Sequence, residues 1–102
     1  MNLSYRKQGA NLYIYLSGEL DEYNATLLRN KVDDLLEQNV SAEKVVINLA
    51  NVKFMDSTGI GFLIGRYKKL KRLSTPMYIE NPNLNADKIL NMSGVYSLIP
   101  KV

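Results

Sequence analysis

The chain has 102 residues, a formal net charge of +3, and neither cysteine nor histidine. That length holds one domain around one core. The missing residue types exclude disulfides, thiolate metal sites and catalytic thiols, and they remove the commonest general base and metal ligand.

The opening residues Met1-Asn2-Leu3-Ser4-Tyr5-Arg6 carry no apolar signal segment, and no apolar stretch approaches the roughly 20 residues of a membrane span. A cytoplasmic protein without a membrane partner is therefore expected. Leu3–Lys7 and Leu12–Ser17 read as two strands around the turn Gln8-Gly9-Ala10-Asn11. In the second, Leu12, Ile14 and Leu16 alternate with Tyr13 and Tyr15, the period of a strand. A helix follows, with Asn24 as its expected N-cap and an end near Asn39. Ala25, Leu28, Val32, Leu35 and Leu36 make its apolar stripe, and Arg29, Asp33 and Glu37 are expected to face away. Lys44–Leu49 is a near-continuous apolar run, as in a central parallel strand covered on both faces.

The stretch Phe54-Met55-Asp56-Ser57-Thr58-Gly59-Ile60-Gly61 then reads as a polar turn opening a second helix. Ile60, Leu63, Ile64, Tyr67 and Leu70 recur at helical spacing, with Arg66, Lys69 and Arg72 expected largely on the other side. Pro76 opens a short strand, Met77–Glu80, and Asn81-Pro82-Asn83 is a loop. Ala86, Ile89 and Leu90 suggest a third helix stopped at Gly94, and Val95–Ile99 a last strand. The order β-β-α-β-α-β-α-β implies an α/β domain with a mostly parallel sheet and right-handed crossovers.

The candidate chemistry gathers at residues 54–61. Ser57 reads either as a helix cap or as a functional hydroxyl, and the amides of a helix start favour a negative group there. A capping box is incomplete, because Ile60 stands where Glu or Gln belongs, and Asp56 and Thr58 are alternative caps. A serine nucleophile would need a base that no histidine supplies, and the Gly-x-Ser-x-Gly elbow is absent. Gly59-x-Gly61 lacks both the lysine of a P-loop and the third glycine of a dinucleotide fingerprint. Gly65 is expected to allow close helix packing instead. Asp21 and Asp56 would suit a magnesium ion if they converged; otherwise they are solvated acids at helix ends. The basic residues Lys44, Lys53, Arg66, Lys68, Lys69, Lys71 and Arg72 fit a solvated helix face better than a nucleic-acid surface. Tyr13, Tyr15 and Tyr67 fit half-buried packing better than a stacking platform.

Across essentially its whole length the chain resembles the STAS family of anti-sigma factor antagonists. The resemblance rests on Leu16-Ser17-Gly18-Glu19-Leu20-Asp21, Val45-Val46-Ile47-Asn48-Leu49, Phe54 through Gly61, and Met92-Ser93-Gly94-Val95. The Asp-Ser-x-Gly-x-Gly element is its most specific part. Gly65-Arg66-Tyr67-Lys68 and Met92-Ser93-Gly94 look most like the sporulation branch, which antagonises the anti-sigma F factor.

The resemblance implies a STAS-like domain over residues 1–102. Its sheet would be five-stranded and mostly parallel, with an antiparallel edge strand and helices packed on it. It also implies a monomeric partner switch rather than an enzyme, without cofactor, metal or direct nucleic-acid partner. The unphosphorylated form would bind an anti-sigma factor that is also a serine kinase, releasing the sigma factor. Phosphorylation of Ser57 would end binding, and a PP2C-type phosphatase would restore it. By the same match Asp21 and Asp56 flank the acceptor and contribute, with Thr58, Gly59, Ile60 and Gly61, to the partner surface; Thr58 stands where the family commonly has a second small residue, and this departure makes it a competing acceptor. The alternative from another class is a sensor or scaffold domain of the same fold in a stress-signalling assembly, or a small-ligand or nucleotide-binding module.

Overall fold

The alternation at residues 12–16 sets the sheet. In a computed structural model, which describes residues 2–102, β1 (Asn2–Gln8) and β2 (Asn11–Leu20) form an antiparallel hairpin whose turn uses Gly9 at φ 61°. Leu12, Ile14 and Leu16 are all buried, while Tyr13 and Tyr15 on the other face are half-buried, with the Arg6 guanidinium 5.9 Å from each ring centre. Parallel pairing then adds β3 (Lys44–Met55) beside β2, and β4 (Met77–Glu80) beside β3. Val46 shares a row with Tyr13 and Tyr78, and is buried although it stands outside the main core.

The sheet therefore has four strands in the order β1-β2-β3-β4, not the expected five. The fifth position is reduced to one parallel bridge between Ile79 and Lys101. The expected strand at Val95–Ile99 is a 3-10 turn, Val95–Ser97, followed by Pro100. Gly94 at φ 77° turns the chain sharply, and the Leu98 and Ile99 amides both donate back to the Val95 carbonyl instead of reaching β4. Only Pro100 and Val102 then bond Ile79. This tail is clipped to the helix before it. The Tyr96 hydroxyl donates to Asp87 at 2.6 Å and Lys101 Nζ lies 3.0 Å from the same carboxylate. Those two partners, Tyr96 foremost, hold the Asp87 carboxyl below its ordinary range. Burial, then the carboxylate, pushes the Tyr96 phenol up.

Three helices complete the fold: α1 (Glu22–Gln38), α2 (Ser57–Arg72) and α3 (Leu84–Ser93). The apolar stripe of α1 is buried as its spacing predicts, and Asn39 closes the helix. The stripe of α2 needs a correction. Arg66 is on the inner side, buried, with Nε 2.7 Å from Asp33 of α1. Asp33 and Glu37 likewise face α2 rather than away from it, because Glu37 meets Lys69 at 2.8 Å. Arg66 is tolerated inside because Asp33 answers its charge, Phe62 packs under its plane at 5.0 Å, and the Phe62 carbonyl accepts from Nη1 at 3.4 Å. Burial dominates the guanidinium's titration and lowers its pKa from the ordinary value, with Asp33 opposing that shift.

The glycines divide sharply. A Cβ on Gly65 would meet nothing within 4 Å, so the close packing expected there is not present. A Cβ on Gly59 would lie 2.6 Å from Met55 Cγ and 3.0 Å from the Leu20 carbonyl oxygen. The methionine can move but the backbone oxygen cannot without shifting β2. Gly59→Ala is therefore expected to cost about 1–3 kcal/mol, read as a lower midpoint in urea unfolding; Gly65→Ala serves as the comparator and should not lower it.

Candidate functional site

The first turn of α2 is built by the end of β3. The register between β2 and β3 slips twice, between Tyr15 and Ser17 and again between Gly18 and Glu19, each time with an extra residue on β3. Such bulges bend a strand and re-aim its end. Met55 is then buried as the last strand residue, and Asp56 begins the turn. Asp56 is the N-cap of α2, with extended backbone, and its Oδ1 accepts from the Thr58 amide at 2.9 Å. Ser57 is thus not the cap. It is the first helical residue, and it is exposed.

The same device recurs on α1. Asp21, not Asn24, is the N-cap, and its Oδ1 accepts from the Asn24 amide at 2.9 Å. Asn24 lies inside the first turn, where its side-chain amide donates to the Glu19 carbonyl at 2.9 Å and fixes the entry from β2. A carboxylate at an N-cap satisfies free amides and meets the positive end of the helix, worth about 0.5–2 kcal/mol. α3 follows suit with Asn83, whose Oδ1 accepts from the Ala86 amide at 2.9 Å and whose Nδ2 donates to the Val52 carbonyl of β3. Parallel strands of this order place the starts of the helices at one end of the sheet.

Asp21 and Asp56 are brought together. Both line one shallow depression of about 560 Å³, together with Glu22, Tyr23, Thr26 and Leu27. Thr58 points elsewhere, into a second depression of about 340 Å³ between α1 and α2, where Arg29, Gly61 and Arg66 are also found. Ile60 is half-buried and packs on the core, Gly61 is exposed, and Gly59 is buried. Gly59 therefore shapes the turn from inside and does not belong to the outer surface expected of it. Among the described residues no three acidic side chains gather as a metal would need. Tyr23 and Leu27 are not legible as site residues in the sequence. They lie off the apolar stripe of α1, and only the fold brings them beside Asp56.

What the arrangement offers chemically is an accessible hydroxyl on the first turn of a helix, with two carboxylates already committed to capping. The chain has neither histidine nor cysteine, so no imidazole or thiolate stands beside Ser57.

Comparisons with known proteins bear on the family and the fold. The model of the STAS domain matches residues 2–102. The anti-sigma F factor antagonist of Paenibacillus polymyxa is 34% identical over 89 residues, covering 87% of this chain and 75% of the relative. The anti-sigma-B factor antagonist of Bacillus subtilis strain 168 is 28% identical over 99 residues, covering 97% and 88%. The anti-sigma factor antagonist SpoIIAA in its unphosphorylated form superposes with a TM-score of 0.80 at 24% identity, covering 99% of this chain and 88% of that one. No helix of the described residues is long and apolar enough to cross a membrane.

Proposed function

The chain belongs to the STAS domain family, and from that premise we propose that it is an anti-sigma factor antagonist switched by phosphorylation of Ser57. In this reading the unmodified chain binds an anti-sigma factor with serine kinase activity, and the bound sigma factor is set free. The kinase transfers the γ-phosphoryl group of ATP to the Ser57 oxygen, ADP leaves, and the modified chain dissociates. A PP2C-type phosphatase returns it to the binding form. The chain acts as a binding module in the cytoplasm and is a substrate, not a catalyst. The identity to the Paenibacillus polymyxa relative supports the sigma F branch.

The observation that carries the reading is the exposure of Ser57 as the first residue of α2, next to the capping carboxylate of Asp56 and the depression shared with Asp21. An exposed hydroxyl can be approached in line by a bound nucleotide, whereas Thr58 is half-buried between two helices. Asp21, Ile60 and Gly61 contribute to the surface that the kinase covers.

Incubation with the kinase and ATP is expected to add one phosphate to the wild-type chain and none to Ser57→Ala, measured by intact mass. Undiminished incorporation in Ser57→Ala, or its transfer to Thr58, would remove Ser57 as the acceptor.

A further inference from the structure

α1 carries a second apolar ridge that the fold does not use. Its inner stripe, from Ala25 to Leu36, is buried, yet Tyr23 is 72% exposed and Leu27 is 53% exposed. These two are one helical turn apart, so they form a single ridge. Single exposed apolar residues are ordinary on protein surfaces. A Tyr–Leu pair one turn apart, on the wall of the depression that holds Asp21 and Asp56, shares that depression with the residue that caps α2 just before Ser57.

We infer that Tyr23 and Leu27 are the apolar anchor by which the chain holds its anti-sigma factor, an inference that rests on the function proposed above. The partner chemistry follows from the rim. Asp21, Glu22 and Asp56 surround the ridge with carboxylates on a chain whose net charge is +3. Asp21 and Asp56 spend part of their charge on the helix starts they cap, whereas Glu22 does not serve as a cap. The matching surface is an apolar pocket edged by lysine or arginine. Buried aromatic anchors dominate binding energy in such interfaces, and tyrosine gives large contact area while few torsions are frozen. The ridge supplies affinity, and Ser57, a neighbour of Asp56, supplies control.

The test is a binding titration of the full chain against the anti-sigma F factor of Paenibacillus polymyxa and the anti-sigma-B factor of Bacillus subtilis, with melting curves for every variant. Tyr23→Ala and Leu27→Ala are each expected to weaken binding at least tenfold, while Tyr23→Phe keeps most of it. Val40→Ala and Leu73→Ala, exposed apolar residues just past the far ends of α1 and α2, should leave it unchanged. Added salt should weaken wild-type binding, and less steeply for Glu22→Gln. Wild-type affinity retained in a folded Tyr23→Ala/Leu27→Ala double variant overturns the anchor and leaves the Ser57 reading standing. Failure of the wild-type chain to bind either probe overturns the functional reading itself, and the anchor with it.

Discussion

Asp33→Ala is expected to destabilise the chain by about 3–5 kcal/mol, the range for breaking a buried ion pair from one side. Its cause is the guanidinium left behind. Arg66 keeps only 9% of its side-chain surface, and its Nε has Asp33 at 2.7 Å as its charge partner. Arg29 adds a like charge near it, which depresses the Arg66 pKa further once burial has lowered it. With Asp33 gone, two arginines face the same helix interface without a counterion. Removing the charge instead of its answer should cost less. Arg66→Met keeps much of the volume over Phe62 and leaves the Asp33 side chain 22% exposed, but the Oδ1 that faced Arg66 is buried, so the variant is expected to lose about 1–3 kcal/mol. Glu37→Ala breaks the outer Lys69 pair, whose side chains are 27% and 60% exposed, and should cost under about 1 kcal/mol. Urea unfolding of the three variants checks the order. Equal small losses for Asp33→Ala and Glu37→Ala would mean that Arg66 reaches water and that the pair does not seal the interface.

This pair also shows where sequence reasoning stops. Apolar periodicity located all three helices and all four strands, because burying Leu12, Ile14 and Leu16 or Ala25, Leu28 and Val32 depends on spacing alone. It misplaced Arg66, Asp33 and Glu37 for the same reason. A charge inside a helix interface is stabilised by a residue on another element, and that pairing spans more than 30 positions of chain. The caps failed more locally. Asn24 and Asp21 are both good N-cap types, and the choice was made by where β2 ends, at Leu20. The final strand was lost to hydrogen bonds folded back on Val95 and Gly94, which no hydropathy pattern records. At the site, the Asp-Ser-Thr-Gly turn was legible because polar residues between an apolar strand and an apolar helix stripe mark the junction of the two. That Gly59 faces inward while Gly61 faces out was not, since both read as the same residue.

Phosphorylation of Ser57 is expected to lower affinity for the anti-sigma factor at least a hundredfold and to leave the melting behaviour of the free chain nearly unchanged. Phosphate adds about −1.5 to −2 charges near neutral pH. In the free chain it would sit exposed on the first turn of α2, where the helix N-terminus offsets repulsion from Asp56 by about 0.3–1 kcal/mol. The core below that turn, Met55, Gly59 and Leu20, is not touched. In a complex the same group has to be stripped of water or the interface has to open around it, and the carboxylates of Asp21 and Asp56 already hold that region negative. A hundredfold loss corresponds to about 2.8 kcal/mol, within what one misplaced buried charge costs. Ser57→Asp carries one charge and no tetrahedral bulk, so it should fall between the two forms in affinity. The decisive comparison is between Ser57→Asp and Ser57→Asn. They are nearly equal in size, so a larger loss for Asp assigns the switch to charge, and equal losses assign it to bulk. Wild-type affinity in a chain phosphorylated at Ser57 alone would dismiss Ser57 as the switch.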